Sequence, residues 1–471
     1  MLKGLVKDVI IYGIAGGLSK SLMILLLPIF TRYFTPEEYG IVDIVTSVLM
    51  FLSIMSMLQM ESAIGRYFYE VEDEKENRIN ISTAFWTVIM STTVIVVLLL
   101  SVNTSLSSTL FGSEDYGELF VVAAAILPAS NIYAFLTSVM RYVKKPILYG
   151  LFSLIQITLT LGSSIAYVVV MDVGVVGVFY GQLTGFGVAA VVMFLYCLHT
   201  GIIGMFWKKK VVVRYFQFSL PIVPGMVASW ANIYLNRFIM LSYLSLAEIG
   251  FFTVAFRIAC LFRILEDAGK MAWGPFLYQS LEQENHKEVI KTVFNFAVTG
   301  VFTLVIILAL FSNELFHLFA SEEYDEGIYI LPILFLALAI NSLVQIVLIG
   351  PVITKKTHYN SIIIFVSLAV NIGLLLILVP KYGLSGVPIS LLCSSFTLFV
   401  LSWIITEKLY YIGYSKPAFL ITFVSALGAV CLSVFFDLEL MIRILIAILA
   451  GVAMYAMSLS YFKTIKQKFD L

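Results

Sequence analysis

Charge is scarce in this chain: Asp, Glu, Lys and Arg make up only 12% of its 471 residues and cancel to a net charge of zero. Hydrophilic stretches are short as well, the longest running from Tyr69 to Asn80. No soluble catalytic or ATP-hydrolysing domain fits between the apolar segments. Neither a GxxxxGKS/T loop nor a Gly-rich strand-to-helix turn occurs, so the sequence offers no cradle for nucleotide phosphates. No basic excess invites nucleic acid. The four cysteines, Cys197, Cys260, Cys393 and Cys431, lie inside apolar spans without CxxC or metal-cluster spacing and are expected to be buried structural thiols. His199, His286, His317 and His358 fall at or near span ends with no HExxH pattern, so neither a metal nor a cofactor is expected.

What the chain does contain is apolar surface: 61% hydrophobic residues and a mean hydropathy of +1.00. Runs of about 20 apolar residues, each enough to cross a ~30 Å hydrocarbon core as a helix, recur along the whole length. They predict an all-α integral membrane protein with about 14 transmembrane helices, near 9–31, 41–60, 82–102, 119–140, 147–170, 178–198, 216–236, 250–277, 292–312, 328–350, 359–379, 387–406, 418–435 and 441–462. Run length and the lack of alternation argue against a β-barrel. The first run is too long for a signal-peptide core and is read as retained.

Landmarks in the first half recur in the second. Thr35-Pro36-Glu37-Glu38-Tyr39-Gly40 returns as Ser245-Leu246-Ala247-Glu248-Ile249-Gly250, 210 positions on. Leu110-Phe111-Gly112-Ser113-Glu114-Asp115-Tyr116 returns as Leu318-Phe319-Ala320-Ser321-Glu322-Glu323-Tyr324. Lys144-Lys145 returns as Lys355-Lys356, and Gly174-Val175-Val176-Gly177-Val178 as Gly383-Leu384-Ser385-Gly386-Val387. The order and nearly constant spacing predict two six-helix lobes, 1–210 and 211–410, followed by two further helices and a tail over 411–471. Six spans per repeat give both lobes the same orientation, related by a pseudo-two-fold axis along the membrane normal with a cleft between them.

Positive charge alternates along the chain. Twenty-one of the 29 lysines and arginines fall on every second connection, among them Arg66, Arg78, Lys144, Lys145, Lys208, Lys209, Lys210 and Arg214. The intervening connections hold only Arg32, Lys381 and Arg443. The positive-inside rule then places both termini in the cytoplasm.

Five cations remain within or at the ends of spans, where burying charge in lipid costs at least ~2.5 kcal/mol each. Lys20 and Arg257 have no acid three or four residues away. Each is read as an anion-binding cavity residue, with an ion pair to another helix as the alternative. Arg263 has Glu266 and Asp267 at i+3 and i+4, and Lys270 follows Glu266 by four, a spacing that suits an internal salt-bridge network as well as a cavity. Arg237 ends the seventh span and either lines the cavity or snorkels to the outer surface. Asp43 and Glu61 at the ends of the second span are candidates for a coupling ion, against solvated or paired acids. Asn232 and Asn371 line the cleft or bridge helices.

The stretch Leu27-Pro28-Ile29-Phe30-Thr31-Arg32-Tyr33-Phe34-Thr35-Pro36-Glu37-Glu38-Tyr39-Gly40 resembles the start of bacterial polysaccharide-biosynthesis flippases. Leu220-Pro221-Ile222-Val223-Pro224, Asn236-Arg237-Phe238 and Ala272-Trp273-Gly274-Pro275-Phe276 resemble that family's second-lobe signatures. These proteins form the Wzx-like oligosaccharide flippase branch of the superfamily that includes the MATE drug extruders. The resemblance implies a MATE-like fold in the bacterial cytoplasmic membrane. It also implies export of an undecaprenyl-diphosphate-linked oligosaccharide, an O-antigen or capsule or exopolysaccharide repeat unit, by alternating access. Membrane lipid, a polysaccharide polymerase and assembly proteins are the implied partners. The diphosphate would meet Lys20, Arg257, Arg263 and Arg237. Coupling to H+ or Na+ is possible in this superfamily, but the first span has no Asp or Glu between Ile10 and Phe30, and acids of the sodium-site kind are replaced by Asn232 and Asn371. A flippase for a peptidoglycan precursor or teichoic-type lipid is the nearest alternative, then a drug antiporter. A polytopic enzyme fits poorly, because the longest outer loop, Val102 to Glu118, has neither Arg nor His.

Overall fold

The structure, a computed structural model, describes residues 26–453 except 72, 264–268, 270–272, 274–275, 278, 357 and 437. Among the described residues every regular element is helical, as expected for backbone that must satisfy its own hydrogen bonds in hydrocarbon. The first half comprises α1 (Leu27–Tyr33), α2 (Pro36–Met57), α3 (Met60–Tyr67), α4 (Glu74–Phe111), α5 (Gly117–Tyr142), α6 (Pro146–Ile165), α7 (Val176–His199), α8 (Lys209–Ser219) and α9 (Val223–Leu241). The second comprises α10 (Leu246–Ala259), α11 (His286–Leu310), α12 (Ser312–Phe319), α13 (Leu331–Val347), α14 (Gly350–Ile353), α15 (His358–Tyr382), α16 (Gly386–Leu409), α17 (Lys416–Phe435) and α18 (Leu440–Ala453).

Ten helical stretches among the described residues are long and apolar enough to span a bilayer, and the one from His358 to Leu409 holds two helices, α15 and α16. This is a multi-pass membrane protein. The expected spans from 41–60 to 178–198 and from 292–312 to 418–435 each fall on such a helix. Of the other four, the seventh lies within the stretch Lys209–Leu241, and the fourteenth is described only as the apolar helix Leu440–Ala453. The first lies largely outside the described residues. Within the seventh, a 3-10 turn at Leu220–Ile222 separates the amphipathic α8 from α9. The eighth begins as α10, which closes at Ala259; residues 261–263 are again helical, and much of the remainder to 277 lies outside the described residues. The thiol expectation also needs correcting, because Cys197 is buried whereas Cys431 is exposed on α17, whose apolar surface faces outward.

The chain forms two compact units, Met1–Leu241 and Ser242–Leu471. The first includes α9. Within it, α3, α4, α5 and α7 surround a core of Met60, Ile64, Phe85, Phe135, Met140 and Met193. In the second unit α17 packs on α11 and α13, so the helix that follows the second repeat shares that repeat's core.

The two repeats agree in local geometry. Thr35 caps α2 and Ser245 caps α10, each with the same reciprocal capping box to Glu38 or Glu248. Lys144 and Lys355 share a left-handed backbone, with φ of 54° and 59°, as do Gly174 and Gly383. A stripe of small residues, Gly177, Gly181 and Gly185, faces α6 so closely that a Cβ on Gly181 would lie 1.9 Å from Ser164 Oγ. The corresponding stripe is Gly386, Ser390 and Ser394 on α16, which packs on α15 and exchanges hydrogen bonds between Ser394 and Ser367. Small residues let helix backbones approach where the surrounding lipid supplies no hydrophobic drive.

Candidate functional site

Most buried polar chemistry of the first unit lies on α2 and its neighbours. Asp43 sits seven residues into α2, about 10 Å from its start at 1.5 Å per residue. Its Oδ2 accepts a hydrogen bond from Arg237 Nε on α9 at 2.8 Å, with the two side chains 7% and 1% exposed. The Arg237 Nη1 group also donates to Ile233 O and, at 2.7 Å, to Asn236 Oδ1. One turn further along α2, Trp230 Nε1 donates to Ser47 O at 3.1 Å, and its ring packs on Phe51. Arg237 does not snorkel to the surface. It is a desolvated guanidinium whose charge is matched by a carboxylate.

Deeper along α2, Ser53, Ser56, Thr92 and Asn131 form a closed network. Ser53 Oγ donates to Asn131 Oδ1 at 2.7 Å, while Asn131 Nδ2 donates to Ser56 Oγ at 2.7 Å and Thr92 Oγ1 at 3.0 Å. None of these four residues is among the candidates that sequence spacing points to. An Asn in the middle of an otherwise apolar span was the available signal. Beyond it, α2 breaks at Leu58 and Gln59, two consecutive non-glycine residues with φ of 50° and 56°. Such backbone is unfavourable for residues bearing a Cβ. The break turns the chain into α3, where Glu61 Oε2 accepts from Ser138 Oγ at 2.9 Å, which in turn accepts from Arg141 at 2.7 Å. Arg66 turns instead to Glu70.

The ends of this unit differ in charge. At one, burial and then the carboxylates of Glu37, Asp115 and Glu38 push the Tyr116 phenol up. At the other stand Arg66, Lys144, Lys145 and Arg214, with Lys144 over the Tyr69 ring and Arg214 over Tyr67.

Asn232 is half-buried on α9 and donates to Ala228 O of its own helix at 3.3 Å. In the second unit, Arg257 is half-buried near the end of α10, and Arg263 follows the turn at Cys260 with its guanidinium 5.8 Å from the Phe256 ring centre. Asn371 is buried on α15, and its Oδ1 has no hydrogen-bond partner among the described residues. Lys20, Glu266, Asp267 and Lys270 lie outside the described residues.

This arrangement of packed helix pairs is a MATE- and MurJ-like membrane fold. It is similar to a lipid II flippase MurJ in an inward closed conformation, at 18% identity and a TM-score of 0.72 over 97% of this chain and 100% of that one. A Vibrio cholerae MATE transporter matches at 15% identity and a TM-score of 0.60, over 86% of this chain and 96% of that one. A MOP superfamily transporter from Pyrococcus furiosus matches at 16% identity and a TM-score of 0.58, over 86% of this chain and 96% of that one. No curated protein sequence matches. Residues 29–265 match the family model described as polysaccharide biosynthesis protein, and the chain belongs to that family.

Proposed function

We propose that this protein is a flippase that moves an undecaprenyl-diphosphate-linked oligosaccharide, a repeat unit of O-antigen, capsule or exopolysaccharide, from the cytoplasmic to the outer leaflet of the bacterial cytoplasmic membrane. The observation that carries this reading is the polysaccharide biosynthesis family match across half the chain, on a fold shared with a lipid II flippase. The chemistry agrees with it. A diphosphate headgroup calls for lysine or arginine in a low-dielectric site, and Lys20 and Arg257 are the residues we assign to it, with Arg263 as a further contact. Arg237 has its charge already matched by Asp43, so we give it a supporting part. The basic end of the first unit agrees with a cytoplasmic placement under the positive-inside rule. Flipping requires no covalent step, and H+ or Na+ remains the proposed coupling ion.

The TM-score of 0.72 to a lipid II flippase favours a second reading, a peptidoglycan-precursor or teichoic-type lipid as cargo. One experiment separates the two. In cells depleted of the protein, lipid-linked glycan should accumulate on the cytoplasmic leaflet, and mass spectrometry of the trapped glycan names the cargo. An unchanged leaflet distribution together with altered drug sensitivity would reject both flippase readings in favour of a drug extruder.

A further inference from the structure

The connection between α7 and α8 exposes apolar side chains on a backbone that is held in place. Gly204 N donates to Ser82 Oγ at 2.8 Å, and Trp86 Nε1 donates to Gly204 O at 3.0 Å. Lys208 N donates to Thr83 Oγ1 at 3.2 Å, and Ile203, fully buried, donates its N–H to Cys197 O at 3.2 Å. Between these anchors Met205, Phe206 and Trp207 are 81%, 41% and 49% exposed. A pinned loop does not leave three adjacent large apolar side chains in water, because burying them elsewhere would be favourable.

The helix that follows is amphipathic. Tyr215 and Ser219 of α8 are buried, with Tyr215 stacked on Tyr67, while Lys209, Lys210, Val213, Arg214 and Gln217 point outward. Arg214 is engaged by Glu70 at 2.9 Å. No carboxylate among the described residues pairs with Lys208, Lys209 or Lys210. Three unmatched ammonium groups therefore adjoin an exposed Met-Phe-Trp tip. Aromatic side chains at the headgroup level and lysines reaching for lipid phosphates are the two halves of an interfacial anchor.

We infer that Met205–Lys210 and the outward face of α8 form a docking surface for anionic phospholipid. The Met205, Phe206 and Trp207 side chains enter the boundary between headgroups and acyl chains, and Lys208, Lys209 and Lys210 hold the phosphates. Charge complementarity selects anionic over zwitterionic lipid. All six residues from Met205 to Lys210 are exposed, which favours the surrounding bilayer over the enclosed diphosphate of a transported molecule. Because α9 follows α8 after one 3-10 turn, the lipid also fixes where α9 begins. The inference does not depend on the transport reading.

The full chain in nanodiscs provides the test. Native mass spectrometry should show wild-type protein retaining phosphatidylglycerol over phosphatidylcholine. That preference should fall roughly fivefold for each lysine removed in a Lys208→Gln, Lys209→Gln and Lys210→Gln series, and a triple Lys→Arg variant should keep it. All three positions are exposed, so the variants should fold, and thermal unfolding checks this. Brominated phospholipid should quench the emission lost in Trp207→Phe. Equal retention of phosphatidylglycerol by the triple Gln variant would overturn the inference, as would a Trp207 signal quenched by aqueous iodide and untouched by brominated lipid. Displacement of the bound phospholipid by a polyprenyl diphosphate would reassign the surface to the transported lipid.

Discussion

Asp43 and Arg237 are almost completely removed from solvent, and such pairs are asymmetric in their energetics. Together they offset each other's desolvation, but removing one partner strands the other at a cost of about 3–5 kcal/mol. Asp43→Asn or Arg237→Gln alone should therefore lower the thermal unfolding temperature of the purified protein markedly, and the double variant should recover part of the loss. Strictly additive losses would show that the pair is not energetically coupled. Sequence spacing found both residues, but as separate candidates 194 positions apart. Only the packing of α9 on α2 makes them one unit. For the anion-binding assignment, Lys20→Ala and Arg257→Ala should abolish glycan export while leaving membrane abundance near wild type, since each change removes a proposed anion contact. Lys20→Arg should keep more activity than Lys20→Gln if charge outweighs shape. Normal export by the Lys20→Ala, Arg257→Ala double variant would remove both residues from the site.

At the scale of elements, glycine spacing decides how closely helices approach. Gly181 on α7 faces Ser164 on α6, and there is no room for even one added carbon. Gly181→Leu forces the helices apart and should cost ~1–3 kcal/mol or more, read as a lowered unfolding temperature. Gly187→Leu, on the same helix with open space at its Cβ, is the control and should have little effect; equal damage at both positions would refute the close-approach account. Helix spans of this kind were legible, because a lipid-crossing helix needs a fixed length of apolar residues. The stripe was not singled out, although Gly177, Gly181 and Gly185 stand four apart. In a chain with 30 glycines, spacing alone does not say which of them face a neighbour. The break between α8 and α9 falls inside the mainly apolar run from 216 to 236, at the 3-10 turn that holds Pro221.

At the scale of the molecule, the offset of 209–211 residues between landmarks corresponds to shared geometry: two capping boxes, two left-handed Lys turns, two glycine turns and two small-residue stripes. That correspondence supports a duplicated plan. The composition and the repeats by themselves determined that the chain is a helical, multi-pass membrane protein, since hydrophobic length and internal periodicity are properties of the linear string. Which helices share a unit was decided by tertiary structure. The place of α9 beside α2, the neutralisation of Arg237 by Asp43, and the outward display of Met205, Phe206 and Trp207 all depend on side chains far apart in sequence meeting in space, and no local pattern of residues encodes such a meeting.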